Sequence, residues 1–154
     1  MGEEEAAGKV VVDTYAIMAM VFDELTPIAK KIMLSIYEGR IFGVIPETVA
    51  YEFILQWYKG RIPSLKSIDE AKAFLKAYFT LRKLDFEDYV KAAEIKVKGD
   101  MFLSQSEDED LRYRRLSLVD ATIITTALKE KTPILTGDKD IFYVASKLGI
   151  NIIW

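Results

Sequence analysis

Lys9-Val10-Val11-Val12-Asp13-Thr14 decides how this chain folds. A short, wholly apolar run that ends in an acid is the pattern of a strand covered on both faces, with a polar group released at its end. A second run of the same kind is Pro133-Ile134-Leu135-Thr136-Gly137-Asp138. If both runs are parallel strands of one sheet, Asp13 and Asp138 meet in the crevice beyond the strand ends, where open α/β sheets bind ligands. Carboxylates crowded together there repel one another, so a hard divalent cation is their natural companion.

Composition narrows the chemistry. The 154 residues suit one domain with a single sizeable core, and 51% hydrophobic residues exclude a disordered chain. The longest apolar stretch, Tyr15 to Phe22, is far short of the ~20 residues needed to span a bilayer. The start, Met1-Gly2-Glu3-Glu4-Glu5, is acidic where a secretory signal is basic, so a cytoplasmic protein is expected. The chain has no Cys and no His, which removes disulfides, thiolate and imidazole metal sites and a Ser-His-Asp triad. Any metal must then be held by oxygens, which favours Mg²⁺ or Mn²⁺ over Zn²⁺. A net charge of −3 argues against nucleic-acid binding by bulk charge, but a cation reverses the local field of an acidic cluster.

Strand and helix signals alternate along the chain. After Val10–Val12 comes a short apolar helix over Tyr15–Phe22. Thr26-Pro27 then reads as N-cap and first helical position, with Gly39 as the stop. Ile41–Ile45 is a second strand, and a helix over Glu47–Tyr58 carries Glu52. Ser67-Ile68-Asp69-Glu70 is a capping box that opens a helix to about Phe79. Leu81–Leu84 is a third strand, and Asp85 caps a helix expected to stop at Gly99. Ser104–Asp110 is an acidic loop or loose helix start. Ser117-Leu118-Val119-Asp120 is another capping box, leading a helix to about Lys131. Strand Ile134–Thr136, a helix over Ile141–Leu148 and strand Ile150–Ile153 finish the chain. The alternation implies a three-layer α/β sandwich around a five-stranded, mostly parallel sheet. Residues 1–8 are expected to be a flexible leader and 9–154 a single domain.

Four local motifs follow one another in order: Val11-Val12-Asp13-Thr14; Pro46-Glu47-Thr48-Val49-Ala50-Tyr51-Glu52; Leu116-Ser117-Leu118-Val119-Asp120-Ala121; and Leu135-Thr136-Gly137-Asp138-Lys139-Asp140. This set resembles the PIN-domain nucleases and, within them, the VapC-type toxins of toxin–antitoxin pairs, over about Lys9 to Trp154. The resemblance implies a PIN-like parallel sheet flanked by helices and a Mg²⁺- or Mn²⁺-dependent endoribonuclease acting on RNA. Carried over by position, Asp13, Glu52, Asp120 and Asp138 form the acidic catalytic set, with Asp13, Asp120 and Asp138 toward the metal. Thr14 and Thr136 support them, and Asp140 is a further metal-proximal acid. Glu52, on a helix, is the candidate to orient an attacking water. The resemblance also implies an antitoxin partner and a homodimer, to which the helix Ala71–Phe79 is a candidate contributor. One departure stands out: many members carry a basic residue where this chain has Gly137.

Each signal has a plainer alternative. An Asp after a strand also forms turns or caps helices, and Glu52 alone would be a surface residue. Arg114, Arg115 and Lys139 either contact RNA phosphates or, for the arginines, balance the acids Glu107–Asp110. Met18, Met20, Phe22, Met33 and Tyr37 read as core, with part of the group open to a partner helix. The competing functions are a PIN nuclease of RNA maturation or decay without an antitoxin, and a non-catalytic PIN-like binding module. A phosphotransfer domain with an aspartyl nucleophile fits poorly, because position 15 is Tyr rather than a second Asp.

Overall fold

The computed structural model describes residues 8–154. Its sheet is built from β1 (Gly8–Val12), β2 (Ile41–Pro46), β3 (Thr80–Arg82), β4 (Ile134–Leu135) and β5 (Ile152–Ile153), in the order β3-β2-β1-β4-β5. All four pairings are parallel. Eight helices occur among the described residues: α1 (Thr14–Val21), α2 (Pro27–Tyr37), α3 (Glu47–Tyr58), α4 (Ile68–Tyr78), α5 (Phe86–Ser104), α6 (Glu109–Arg112), α7 (Leu118–Glu130) and α8 (Lys139–Lys147). The expected leader lies outside the described residues except for Gly8, which already pairs with Ile41 in β1.

β1 is the centre of the molecule. Val10, Val11 and Val12 are all essentially inaccessible. Successive strand residues point to opposite faces, so three buried in a row require cover on both sides of the sheet. The strand order reverses at β1. The chain builds β2 and β3 on one side of it, then returns to place β4 and β5 on the other. A crevice opens at such a reversal, beyond the carboxyl ends of the strands flanking it.

Local signals account for most element ends. Thr26 Oγ1 accepts the Ala29 N–H at 3.2 Å with Pro27 in the first turn, and Gly39 takes the left-handed turn that ends the helix. Asp85 and Asp88 close a reciprocal box at the head of α5, as do Ser117 and Asp120 at the head of α7. The Ser67 box is only half closed: Ser67 Oγ takes the Glu70 N–H, but the Glu70 carboxylate takes the N–H of Lys66. On α4, Ala71 and Leu75 are spent on the core, as is Phe79 just beyond it. Helix α8 begins at Lys139, two residues earlier than expected, because Asp138 Oδ1 accepts the N–H groups of Asp140 and Ile141.

A buried ion cluster ties the layers. Asp88, on α5, accepts from Arg82 of β3 (Nη2 to Oδ1, 3.2 Å) and from Lys129 of α7. Burial works against its charge. Lys129, the Asp85 N–H and Arg82 outweigh that and hold the carboxyl well below the usual range.

The main correction concerns Gly99, which does not stop α5. The helix runs through it to Ser104, and Gly99 is buried inside it. A Cβ at Gly99 would lie 2.2 Å from Leu116 Cδ1 and 3.2 Å from Val144 Cγ1. The glycine is there so that the segment leading into α7, and α8, can approach α5 closely. Gly99→Ala sets a helix-propensity gain of ~1 kcal/mol against an overpacking cost of about 1–3 kcal/mol. Leu116 is 1% exposed and has no room to retreat, so the cost wins. The urea midpoint of Gly99→Ala is expected to fall; an unchanged or higher midpoint would return Gly99 to a role in helix conformation alone.

Candidate active site

Asp13 follows β1 at the strand-order reversal. Its N–H donates to the Leu135 carbonyl of β4 at 3.1 Å, and the residue is 4% exposed. It occupies the N-cap position of α1, yet makes no side-chain capping bond. The plain reading of Asp13 as a helix cap therefore fails. Its Oδ2 instead accepts from Thr136 Oγ1 at 2.7 Å, and the same Thr136 oxygen accepts the Asp138 N–H at 3.0 Å. Thr136 thus locks two acids from opposite ends of the chain into one frame.

Asp120 and Asp138 do cap helices. Asp120 Oδ2 accepts the Ser117 N–H at 3.1 Å, and Asp138 Oδ1 caps α8. Capping does not compete with a role in the cleft. It holds each carboxylate at a helix N-terminus, where the dipole favours negative charge. In both Asp13 and Asp138 the second carboxylate oxygen makes no hydrogen bond to the described residues. Glu52 comes from α3.

These four acids line one open cleft of about 350 Å³, together with Thr14, Tyr15, Met18, Ala19, Phe22, Glu24 and Gln56. Asp13 is pushed up to about 8, first by burial and then by the charges of Asp120, Asp138 and Glu52; the Thr136 hydroxyl pulls the other way. Asp120 is pushed up to about 6, again mainly by burial, with Asp138 and Glu52 adding to it against the Ser117 hydrogen bonds. The Thr14 hydroxyl is buried at the cleft without a hydrogen-bond partner among the described residues. An orphaned hydroxyl and crowded carboxylates carrying unused oxygens form an all-oxygen donor set suited to a hard divalent cation. Among the described residues no three acids are already closed into a cage. Mg²⁺ does not need one, since it takes one or two carboxylates and keeps several waters.

The other expected site residues fall outside the cleft lining. Asp140 is buried and pairs with Arg114 (Nη1 to Oδ1, 3.1 Å). Burial and then Asp138 raise its carboxyl, against Arg114. Arg115 is exposed and donates to the Arg114 carbonyl. Nearby Arg112 donates to the carbonyls of Ser106 and Glu107. Lys139 lines a separate cleft with Phe142, Tyr143 and Lys147. Of the apolar group, Met33 is core, whereas Met18 and Phe22 line the acidic cleft. Sequence reasoning missed Tyr15, Glu24 and Gln56. The signal for Tyr15 was its spacing with Met18 and Phe22 along α1, which places the three on one stripe.

A PIN domain model matches residues 10–148 of the chain. No curated protein matches it significantly by sequence. Among solved structures, VapBC2 from Rickettsia felis, bound to a DNA fragment from its promoter, aligns with a TM-score of 0.66 at 9% identity, covering 94% of this chain and 97% of that one. Mycobacterium tuberculosis VapC20, a sarcin–ricin-loop-cleaving toxin, aligns at 0.60 and 18% identity over 92% and 95%. FitAcB from Neisseria gonorrhoeae aligns at 0.56 and 14% identity over 94% and 96%. At these identities the likeness speaks to the fold.

The raised Asp13 carboxyl carries a pH signature. Its folded value, about 8, lies above the ordinary 3.8, so between those limits the folded state holds a proton that the unfolded state releases. Stability without a cation therefore falls as pH rises through that window, with a limiting slope of about 1.4 kcal/mol per unit for one proton. In EDTA, Asp13→Asn is expected to match wild type near pH 4 and to unfold at higher urea than wild type at pH 8. A difference that does not grow with pH would mean that Asp13 is ionised in the free protein.

Proposed function

Because the chain belongs to the PIN domain family, we propose that it is a Mg²⁺- or Mn²⁺-dependent endoribonuclease that hydrolyses RNA phosphodiester bonds, and the toxin of a toxin–antitoxin pair. The observation that carries this reading is the convergence of Asp13, Glu52, Asp120 and Asp138 on one cleft that also holds the buried Thr14 hydroxyl, which has no hydrogen-bond partner among the described residues. The fold shared with VapC20, a toxin that cleaves the sarcin–ricin loop, supports RNA as substrate. The fold shared with VapBC2, solved on its own promoter DNA, supports a separate antitoxin partner.

Asp13, Asp120 and Asp138 would hold the cation, each keeping one carboxylate oxygen that capping or the Thr136 bond does not use. When bound, the ion lowers the pKa of a coordinated water and offsets charge on the phosphoryl oxygens. Thr136 fixes the spacing between Asp13 and Asp138, so the site is assembled before substrate arrives. Glu52, on a helix rather than at a strand end, orients the attacking water and takes its proton. Thr14 supplies a hydroxyl to that water or to a ligand carboxylate. Arg114, held by Asp140, and its neighbour Arg115 are the candidates to contact phosphates flanking the scissile one, and Lys139, which lines a separate cleft, could meet the RNA only further along the strand. A homodimer, a single domain and a cytoplasmic location complete the proposal. No helix among the described residues is long and apolar enough to cross a membrane.

Labelled RNA, single-stranded and structured, incubated with purified protein and Mg²⁺, Mn²⁺ or EDTA tests this reading. Cutting is expected with the cations and not with EDTA. Asp13→Asn and Asp120→Asn, both folded by circular dichroism, are expected to lose at least about 10²-fold in rate. Full activity in both variants would remove the acidic cleft from the reaction. For the toxin assignment, expression of wild type is expected to arrest growth and expression of Asp120→Asn to be tolerated.

A further inference from the structure

We propose that Tyr15, braced by Trp154, is a stacking platform for one unpaired RNA base beside the acidic cleft. This rests on the nuclease reading above and adds how the substrate is gripped.

Tyr15 follows Asp13 by two residues and stands in the first turn of α1. With Met18 and Phe22 it supplies the apolar part of the lining of the cleft that the four acids share. Tyr15 and Phe22 are each 49% exposed, so each keeps ring surface open to a ligand in the cleft. The Tyr15 ring meets Trp154 edge to face, with centroids 5.4 Å apart and planes at 80°. Both rings press on Gly137: a Cβ there would lie 2.6 Å from Tyr15 Cε1 and 2.6 Å from Trp154 Cε2. Gly137 is not among the glycines with positive φ, so its backbone conformation does not demand glycine. The approach of the two rings does. Gly137 is next to Asp138, so the same contact fixes the aromatic pair relative to the acids.

The lining of the cleft says what such a platform is for. None of its residues is Lys or Arg, so ion pairs to phosphate cannot supply the grip inside it. A nucleotide with its phosphate toward the acids and their cation must lay its base along a wall, and the apolar wall is that of Tyr15, Met18 and Phe22. Base faces stack on aromatic rings whatever their sequence, and a ring can take the base only when the base has left its duplex stack. Gly137, by lacking a side chain, leaves the space in which the two rings meet.

The test uses a short single-stranded RNA carrying 2-aminopurine at successive positions, bound to the full-length protein in Ca²⁺, with the fluorescence of the base as readout. Wild type is expected to quench one position strongly, and Tyr15→Phe to keep that quench. Tyr15→Leu, which keeps apolar bulk without a ring, should lose it and bind about tenfold more weakly. Removing the base at that position should weaken wild type by a similar factor and leave Tyr15→Leu unaffected. As a positioning residue, Trp154 should lose the quench as Trp154→Leu and regain it as Trp154→Phe. The same RNA made duplex should not compete. If Tyr15→Leu quenches and binds as wild type does while wild type still cuts RNA in Mn²⁺, the platform is overturned and the nuclease reading stands. If wild type neither binds nor cuts RNA, both readings fall together.

Discussion

The hydrogen bond from Thr136 Oγ1 to Asp13 Oδ2 joins residues 123 positions apart, and the rest of the site depends on it. It exists only because β1 and β4 lie side by side in parallel, with Val12 opposite Leu135. That register sets Asp13 and Thr136 level, each one step past its strand. A slip of one residue would send every side chain of β4 to the other face of the sheet. The core on both faces, Ile134 and Leu135 on one strand and Val10 to Val12 on the other, makes that slip prohibitively costly. Hydrophobic burial thus sets the position of a polar bond, and the polar bond sets the position of two acids.

The same burial makes the cleft electrostatically tense. Asp13 loses water, and its neighbours in the cleft are acids, so its proton is held far above the ordinary range. A protein selected for stability alone would have an Asn or an apolar residue there. The strain is localised where a cation and a phosphate would relieve it. Elsewhere the chain pairs its buried charges: Asp88 lies among Lys129 and Arg82, and Asp140 is met by Arg114. The contrast between paired acids in the scaffold and mutually repelling acids in the cleft separates structural carboxylates from candidate functional ones better than burial does.

Capping and ligation turn out not to be rival explanations. Asp120 and Asp138 were open to a plain reading as helix caps, and each is one. A carboxylate has two oxygens, and in Asp138 one is spent on the helix while the other is unused. Asp13 differs: it holds an N-cap position without capping. Position in the element was legible for all three; which oxygen is committed was not.

The sequence by itself determined the element order, the parallel α/β class, the capped helix starts and the placement of three acids just past strands or inside first turns. Those signals are local, carried by residues within a turn or two of one another. Only the tertiary structure decided that Glu52 of α3 reaches the same cleft, that Gly99 is a point of helix contact rather than a helix stop, and that Tyr15, Trp154 and Gly137 meet. It also decided that Arg114 is held by Asp140 while Lys139 turns to a different cleft. Each of these depends on distances between residues far apart in the chain. Those distances follow from strand register and from which faces are driven out of water, and no local pattern encodes them.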